Sequence, residues 1–187
     1  MGLFATGVTV VATQTADGVI GMTANAVSAV SLDPLLVLVC VDHGARLAGH
    51  LSVGLPFSIN VLRDDQEVLS RYFAGGWRDR PVPEFRFEAW EDAPRLVGAL
   101  AAVRCGVDRL YDGGDHHIVV GWVRALSEGA EPWNPLIFYA GRYRHLAPPA
   151  VPAAPSEEWG PDGMSIYYDE WSAADQPSRA EAFDPPE

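Results

Sequence analysis

The chain has 187 residues, of which 48% are hydrophobic and 20% are charged, and these values indicate one domain with a full core and room for an appendage. The formal net charge of −12 argues against nucleic acid as a partner, because phosphate backbones are bound by clustered cations. No apolar run reaches the roughly 18 residues of a membrane-spanning helix, so we expect no membrane association. The N-terminus lacks the basic and apolar regions of a signal peptide.

The first quarter of the chain predicts a β-hairpin followed by a buried strand. Val8–Gln14 is a short run rich in β-branched residues, Asp17-Gly18 is a hairpin turn signal, and Val19–Met22 resumes the strand. Leu35–Val41 is an unbroken apolar run that is too apolar to be exposed on either face. We therefore predict that this run lies at the centre of a sheet.

Two short helices are predicted next, with a strand between them. Ala45–Ser52 has apolar residues at helical spacing. The second helix, Asp64–Phe73, begins with two acids that suit the positive end of a helix dipole, and Gly75-Gly76 ends it. The strand between the two helices is predicted at Phe57–Leu62.

The second half of the chain predicts further strands joined by tight turns. Phe85–Trp90 alternates apolar and charged residues, as a half-exposed strand does. Many short strands, two short helices and no β-α-β alternation indicate an all-β fold with a few short helices, built as an antiparallel barrel. The other predicted strands are Ala99–Leu110, His116–Leu126, Leu136–Tyr139 and Arg142–His145.

The composition changes at Ala147, so we divide the chain into a barrel domain, residues 1–146, and an acidic, proline-rich extension, residues 147–187. The extension holds eight of the 15 prolines and nine of the 25 acids but only one cation, which is typical of a mostly disordered segment. An apolar island, Met164–Tyr168 with Trp171, breaks this pattern. It has three interpretations: packing on the barrel or on a second copy, docking on a partner protein, or disorder.

Small side chains precede the apolar strand and leave room for a flat ligand. Between Gly21 and Ser31 the residues are mostly Gly, Ala, Ser, Thr and Asn, whose polar groups can bond a ligand without protruding. Arg46 lies at the start of a predicted helix, where a cation and free backbone amides form a workable phosphate site. A solvated surface arginine is the alternative. The pattern predicts a shelf for a flat ligand with a candidate phosphate site.

The signatures of several other chemistries are absent. There is no GxGxxG, P-loop or GxSxG motif, and no Cys/His/carboxylate cluster has metal-ligand spacing, so we expect no metal site. His43 and His116 are the histidines best placed to meet a ligand, although a structural role explains each equally well. Cys40 and Cys105 lie in apolar strands and are expected to be free thiols, which indicates a reducing, cytoplasmic setting.

Six separated segments, in matching order and spacing, resemble the flavin reductase family, the small NAD(P)H:flavin oxidoreductase component of two-component flavin-dependent monooxygenases. The resemblance covers nearly all of the first 146 residues. The segments are FATGVTVVAT (Phe4–Thr13), GMTANAVSAVSLDPLLVLVCVD (Gly21–Asp42), FSINVL (Phe57–Leu62), YFAG (Tyr72–Gly75), YDGGDHHIVVGWV (Tyr111–Val123) and LIFYAGRYRHL (Leu136–Leu146).

This resemblance implies an antiparallel Greek-key split β-barrel and a homodimer with FMN or FAD bound near the dimer interface. NADH or NADPH would be the co-substrate, and a partner monooxygenase would receive the reduced flavin. The cofactors supply the hydride chemistry, so the protein's contribution is binding and orientation, and no side-chain nucleophile is expected. The family carries an amphipathic helix before the first segment, whereas three residues precede Phe4 here. Either the start of the sequence is misplaced or this helix is lost, and its loss would expose apolar surface unless another segment covers it.

The resemblance also implies the site residues. His116 would position the nicotinamide as a hydrogen-bond donor, and a segment flanking the nicotinamide would contain Gly141, Arg142 and Tyr143. The flavin-binding residues would be the loop Thr23, Ala24, Asn25 and Ala26, the polar Ser31, the strand end Cys40, Val41 and Asp42, the phosphate-binding turn Ala45 and Arg46, and the aromatic Phe73.

Two alternative functions keep the fold but change the activity. In one, the chain is a split-barrel flavoprotein that holds its flavin tightly and acts on another substrate, for instance in a biosynthetic pathway. In the other, it is a non-catalytic flavin-binding subunit whose acidic extension docks a partner.

Overall fold

The computed structural model describes residues 2–129 and 133–146, and the apolar island and the rest of the predicted extension lie outside the described residues. Among the described residues, no helix is long and apolar enough to cross a membrane. The strands are β1 (Thr6–Gly7), β2 (Thr9–Thr15), β3 (Gly18–Ala24), β4 (Val27–Leu32), β5 (Leu35–Asp42), β6 (Pro56–Val61), β7 (Phe87–Trp90), β8 (Ala93–Leu96), β9 (Ala101–Asp112), β10 (His116–Glu128), β11 (Ile137–Tyr139) and β12 (Arg142–Arg144).

Seven of these strands form one antiparallel sheet in the order β3-β2-β6-β9-β10-β5-β4. Val11 of β2 and Val39 of β5 lie four places apart in this order, yet both belong to a single buried core together with Ile59. The sheet is therefore strongly curved, and the expectation of an antiparallel split barrel is confirmed. Strands β1, β11 and β12 form a separate small sheet, and β7 and β8 form a hairpin.

The hairpin predicted at Asp17-Gly18 is confirmed, and the predicted strands Ala99–Leu110 and His116–Leu126 form a second hairpin. Strands β2 and β3 pair along their whole length around Asp17-Gly18, and Gly18 has a φ of 116°, which only glycine adopts readily. Strands β9 and β10 pair from Asp112 and His117 to Ala101 and Glu128. Their turn closes with a hydrogen bond from the Gly113 amide to the His116 carbonyl (2.8 Å).

The prediction that Leu35–Val41 lies at the centre of a sheet is wrong. The run forms β5, which pairs with β10 on one side and with the edge strand β4 on the other. Strand β4 comes from the small-residue run, which does not predict a strand because Gly, Ala and Asn, which have little β-propensity, are frequent in it. Only alternate side chains of β5, including Val39 and Val41, face the core, and the others face outward.

The helix predicted at Ala45–Ser52 is also wrong, because only Ala48–His50 is helical, as a single 3₁₀ turn. The backbone makes successive tight turns, with bonds from the Ala45 amide to the Asp42 carbonyl and from the Ala48 amide to the Ala45 carbonyl. These turns insert Leu47, which is 1% exposed, into the core. The second helix is confirmed as a 3₁₀ turn (Asp64–Gln66), an α-helix, α1 (Glu67–Arg71), and a wider turn (Tyr72–Gly76).

A buried amide joins the main sheet to the β7–β8 hairpin. Asn60 of β6 is fully buried, and its Nδ2 donates to the Val10 carbonyl (3.0 Å) and to Ser58 Oγ (2.9 Å). Its Oδ1 accepts a bond from the Leu96 amide of β8 (2.9 Å). Three strands therefore depend on one side chain to satisfy polar groups that water does not reach.

We predict that Asn60→Ala lowers the free energy of unfolding by about 3 kcal/mol, because it removes three hydrogen bonds and leaves buried polar groups without partners. Urea denaturation followed by circular dichroism measures the change. Gln14→Ala is the matched control, since the Gln14 amide is exposed and bonds only the neighbouring Thr15 carbonyl. Equal stability of the two variants would contradict the structural role of Asn60.

Candidate functional site

A cleft of about 710 Å³ opens between β3, the loop after β5 and the wide turn that follows α1. The side of the cleft formed by β3 combines the small residues Gly21 and Thr23 with larger apolar residues, and of the predicted small-residue run only its first three positions line the cleft. Its lining residues are Val19, Ile20, Gly21, Met22, Thr23, Asp42, Gly44, Ala45, Arg46, Tyr72, Phe73, Ala74, Gly75, Trp77, Phe85 and Phe87.

A cluster of aromatic rings forms the opposite wall of the cleft. Phe73 makes edge-to-face contacts with Tyr72 (5.0 Å between ring centroids) and Phe85 (5.0 Å). Tyr72 also contacts Trp77, with centroids 6.3 Å apart, and Phe87 packs behind Phe73 and Phe85. Such tilted contacts restrain each ring, so the wall presents a fixed apolar surface to a ligand.

Glycine at position 21 permits the aromatic wall to approach β3. A Cβ atom at Gly21 would lie 2.9 Å from Cδ1 and Cε1 of Phe73, which is closer than carbon atoms pack. Any larger residue would move the Phe73 ring. The small residue at position 21 therefore makes room for the packing of Phe73 against β3.

The shelf is held in place by hydrogen bonds from its polar side chains. The Thr23 hydroxyl donates to the Ser70 carbonyl of α1 (2.6 Å), and the Ser70 hydroxyl bonds the Tyr143 hydroxyl (2.8 Å). Asn25 Nδ2 donates to Thr6 Oγ1 (3.2 Å). Of the four residues predicted in this loop, Thr23 lines the cleft, Ala24 is buried in the core, and Asn25 and Ala26 are exposed.

The loop after β5 brings the predicted phosphate-binding residues into the cleft. Asp42 Oδ1 accepts a bond from the Gly44 amide (2.6 Å), which shapes the turn, and Ala45 and Arg46 follow at the cleft margin. Arg46 is exposed, and its guanidinium forms no ion pair or hydrogen bond with residues 2–129 or 133–146. Because the predicted helix is absent here, a phosphate would be bound by the Arg46 cation rather than by a helix terminus.

Three predicted flavin contacts do not line the cleft. Val41 is fully buried in the core. Cys40 of β5 and Ser31 of β4 are half-buried on the outer face of the sheet, opposite Ile118 and Leu36 respectively. The structure therefore groups Thr23, Asp42, Ala45, Arg46 and Phe73 around one cleft and places these three residues elsewhere.

His116 lies at the start of β10, directly opposite Asp42 of β5. Its Nδ1 is 2.7 Å from Oδ1 of Asp115, and this hydrogen bond holds the pKa of the Asp115 carboxyl below its ordinary value. His43 is the other histidine singled out, and its ring lies 4.2 Å from the His117 ring.

The predicted nicotinamide-flanking segment forms the turn between β11 and β12. Gly141 lies in this turn with a φ of 73°, and Arg142 is exposed at the start of β12. Tyr143 packs against α1, where the Arg71 guanidinium lies over its ring at 4.8 Å. The Tyr143 hydroxyl bonds the Ser70 hydroxyl, and the Ser70 carbonyl accepts a bond from Thr23. This segment therefore helps to fix the position of Thr23 in the cleft.

Several cleft residues were missed from the sequence, above all Met22, Trp77, Phe85 and Phe87. The sequence predicts Phe85 and Phe87 only as part of a strand and predicts no role for Trp77. The signal that could have found them is the density of aromatic residues between positions 72 and 87, on both sides of a glycine pair. Only the folded chain shows that these rings meet.

Comparisons with known proteins identify the family of this fold. The family model for the flavin reductase like domain matches residues 1–147. The reductase component of 4-hydroxyphenylacetate 3-monooxygenase from Thermus thermophilus is 41% identical over 147 residues, covering 79% of this chain and 93% of that protein. An NADH-dependent FAD reductase from Streptomyces globisporus is 39% identical over 154 residues, covering 80% and 84% of the two chains.

Solved structures show the same likeness. The flavin reductase PheA2 in its native state superposes with a TM-score of 0.72 at 39% identity, covering 79% of this chain and 94% of that chain. The NADH:FAD oxidoreductase SgcE6 from Streptomyces globisporus, solved with NAD and FAD fragments, gives a TM-score of 0.71 at 37% identity, covering 80% and 90%. Because the family model and these relatives span all of the described fold, the chain belongs to the flavin reductase family.

Proposed function

We propose that this chain is an NAD(P)H-dependent flavin reductase that supplies reduced FMN or FAD to a partner monooxygenase. The observation that carries the proposal is the cleft, which combines an apolar aromatic wall, the β3 edge with Gly21 and Thr23, and the exposed cation of Arg46. The names of its relatives support the same activity, since they include an NADH-dependent FAD reductase and monooxygenase reductase components.

The residues of the cleft fit a flavin. Because Phe73 packs directly on Gly21, a planar ring would lie in the cleft beside this contact, where Phe73 offers apolar surface and Thr23 a hydroxyl. Arg46, at the other end of the cleft, suits a phosphate group. Asn25 and Ala26 lie at the exposed end of the shelf, where a ribityl chain or a second ligand would reach them.

When bound, the flavin and the nicotinamide supply the hydride-transfer chemistry. The chain's own residues would bind and orient the reactants: Phe73 and Thr23 would contact the planar ring, Arg46 would hold the phosphate, and His116 would position the nicotinamide. The aromatic wall would exclude water from one side of the cleft, and this would favour contact between the flavin and nicotinamide rings in a fixed orientation. No side chain in this scheme acts as a nucleophile.

A steady-state assay tests the proposal. The purified chain is mixed with NADH or NADPH and with FMN or FAD, and the absorbance of the reduced nicotinamide is followed. We expect oxidation at roughly 1–10³ turnovers per second in at least one combination, with a rate that saturates as free flavin is added. No oxidation above the buffer rate in any combination would refute the proposal, and turnover that ignores added flavin would favour a tightly bound flavoprotein.

We further propose that Arg46 binds the flavin phosphate. Arg46→Gln should weaken FMN binding roughly tenfold, because about 1.5 kcal/mol of charge-assisted bonding is lost. Riboflavin, which lacks the phosphate, should bind the variant as it binds the unmodified chain. Fluorescence titration measures both affinities, and Arg144→Gln, on exposed β12, is the control. Equal weakening of FMN and riboflavin would contradict a phosphate contact.

A homodimer is also proposed, and the outer face of the main sheet supports it. The core-facing residues of β5 alternate with Leu36, Leu38 and Cys40, which face outward. Their register partners on β10 are Trp122, Val120 and Ile118, so six apolar side chains share one face. Trp122 is 40% exposed. A contiguous apolar face of this kind marks an association surface.

We predict that Leu38→Arg converts the dimer to a monomer, because an arginine buried without a partner in this interface costs several kcal/mol. Sedimentation velocity measures the mass. Val53→Arg is the control, since Val53 is 70% exposed in a loop away from this face, and it should remain dimeric. A monomeric unmodified chain would refute the proposed dimer.

Two remaining expectations also stay proposals. We place the catalytic domain within residues 1–146 and treat residues 147–187 as an acidic extension. A cytoplasmic location is supported by the two thiols, Cys40 and Cys105, which are free in the structure.

A further inference from the structure

Arginines without ion pairs are concentrated beside the cleft. Twelve of the 13 arginines lie in the described residues, and seven of the twelve form ion pairs with acids there. The arginines that form no ion pair within residues 2–129 and 133–146 are Arg46, Arg78, Arg80, Arg142 and Arg144. Arg46 lines the cleft, and Arg78 and Arg80 lie in the loop that begins at the cleft residue Trp77. Because the whole chain carries a net charge of −12, this group of uncompensated cations indicates an anionic ligand rather than a generally basic surface.

The loop from Trp77 to Pro81 is folded around the indole ring. Trp77 Nε1 donates a hydrogen bond to the Pro81 carbonyl (2.9 Å), and the Arg80 guanidinium lies over the Trp77 ring, 5.1 Å from its centroid. Asp79, which lies between the two arginines of the loop, has a φ of 56° and forms no ion pair with the described residues. The loop therefore holds a guanidinium against an aromatic ring that is itself part of the cleft wall.

An arginine beside an aromatic ring matches the chemistry of an adenine nucleotide. A guanidinium presents paired N–H donors that suit phosphate oxygens. Indole rings and guanidinium planes also stack on the faces of bases. The edge contact of Trp77 with Tyr72 restrains the indole, so little side-chain freedom would be lost when a base packs there. FAD, NADH and NADPH all contain adenosine diphosphate, whereas FMN does not.

From these observations we propose that the loop Trp77–Pro81 binds the adenosine diphosphate moiety of a dinucleotide. Arg80 contacts the phosphates, Trp77 contacts the adenine, and Arg78 adds positive charge to the same loop. The inference rests on the proposed function and deepens it, because it adds a second phosphate site to that of Arg46. FAD and the nicotinamide dinucleotide are two sources of the same moiety, and affinity measurements distinguish them.

Titration of the full-length chain with ADP tests the site without any turnover. The indole ¹H–¹⁵N NMR signal of Trp77, assigned by its loss in Trp77→Phe, should shift and saturate as ADP is added. Arg80→Gln should weaken ADP binding about tenfold, because a charge-assisted hydrogen bond is lost. Adenosine, which has no phosphate, should bind the variant and the unmodified chain with about the same affinity.

Arg144→Gln is the matched control. Arg144 is also exposed and also forms no ion pair with the described residues, but it lies at the end of β12 and does not line the cleft. This variant should bind ADP as the unmodified chain does, and an equal loss here would reduce the effect to general attraction of anions and overturn the inference. It is also overturned if ADP leaves the Trp77 signal unchanged, if Arg80→Gln binds ADP normally, or if ADP and adenosine are weakened equally.

Two pairs of ligands identify the source of the moiety. FAD differs from FMN by an adenylate group, as NAD⁺ differs from nicotinamide mononucleotide, and all four can be titrated without turnover. If the loop serves the flavin, Arg80→Gln should lower the preference for FAD over FMN about tenfold and leave the preference for NAD⁺ unchanged. If it serves the nicotinamide dinucleotide, the reverse should hold. A variant that retains both preferences would overturn the inference.

The outcomes separate this inference from the proposed function. A chain that binds ADP through Arg80, yet oxidises neither NADH nor NADPH, would count against the proposed reductase activity and leave the nucleotide site supported. A chain that oxidises NADH or NADPH, yet binds ADP equally well after Arg80→Gln, would support the reductase activity and overturn the role of the loop.

Discussion

The antiparallel pairing of β5 with β10 is the constraint on which the rest of the molecule depends. Its register runs from Leu36 opposite Trp122 to Asp42 opposite His116. This one alignment decides which side chains enter the core and which form the outer apolar face, because a shift by one residue would exchange the two sets. It also decides that the loop after β5 and the turn before β10 end at the same level, where the cleft begins.

The cleft itself is built by contacts between segments that are distant along the chain. The shelf belongs to β3, the cation to the loop after β5, and the aromatic wall to the turn after α1 and to the β7–β8 region. The contact of Phe73 with Gly21 joins the wall to the shelf, and the bond from Thr23 to Ser70 joins the shelf to α1. The shape of the cleft therefore depends on these two contacts between β3, α1 and the turn that follows it.

The sequence predicts the parts of this fold that local signals determine. Asp17-Gly18 and Gly113-Gly114 specify hairpins through their backbone conformations, and both hairpins are present where expected. The helix over Ala45–Ser52 fails because helical spacing of apolar residues also arises when tight turns insert one residue, Leu47, into the core. Strand β4 was missed because pairing with β5, and not its own composition, makes it a strand.

In the candidate site, too, some residues were predicted from the sequence and others depend on tertiary packing. Arg46 and Phe73 were found through the resemblance and lie in the cleft, but Trp77, Phe85 and Phe87 were not expected there. Their positions follow from ring contacts with Phe73 and Tyr72, which depend on tertiary packing. The resemblance placed Cys40 and Val41 beside a flavin, but the alternation of β5 turns Cys40 outward and buries Val41, so neither lines the cleft.

The bond between Thr23 and Ser70 restricts how a planar molecule can lie on the shelf. Because the threonine proton is already donated to a backbone carbonyl, the oxygen offers only lone pairs toward the cleft. A ring edge that presents an N–H is attracted at this point, and an edge that presents a carbonyl is repelled. One hydroxyl therefore selects between the two ways round in which a flat, asymmetric ring could enter.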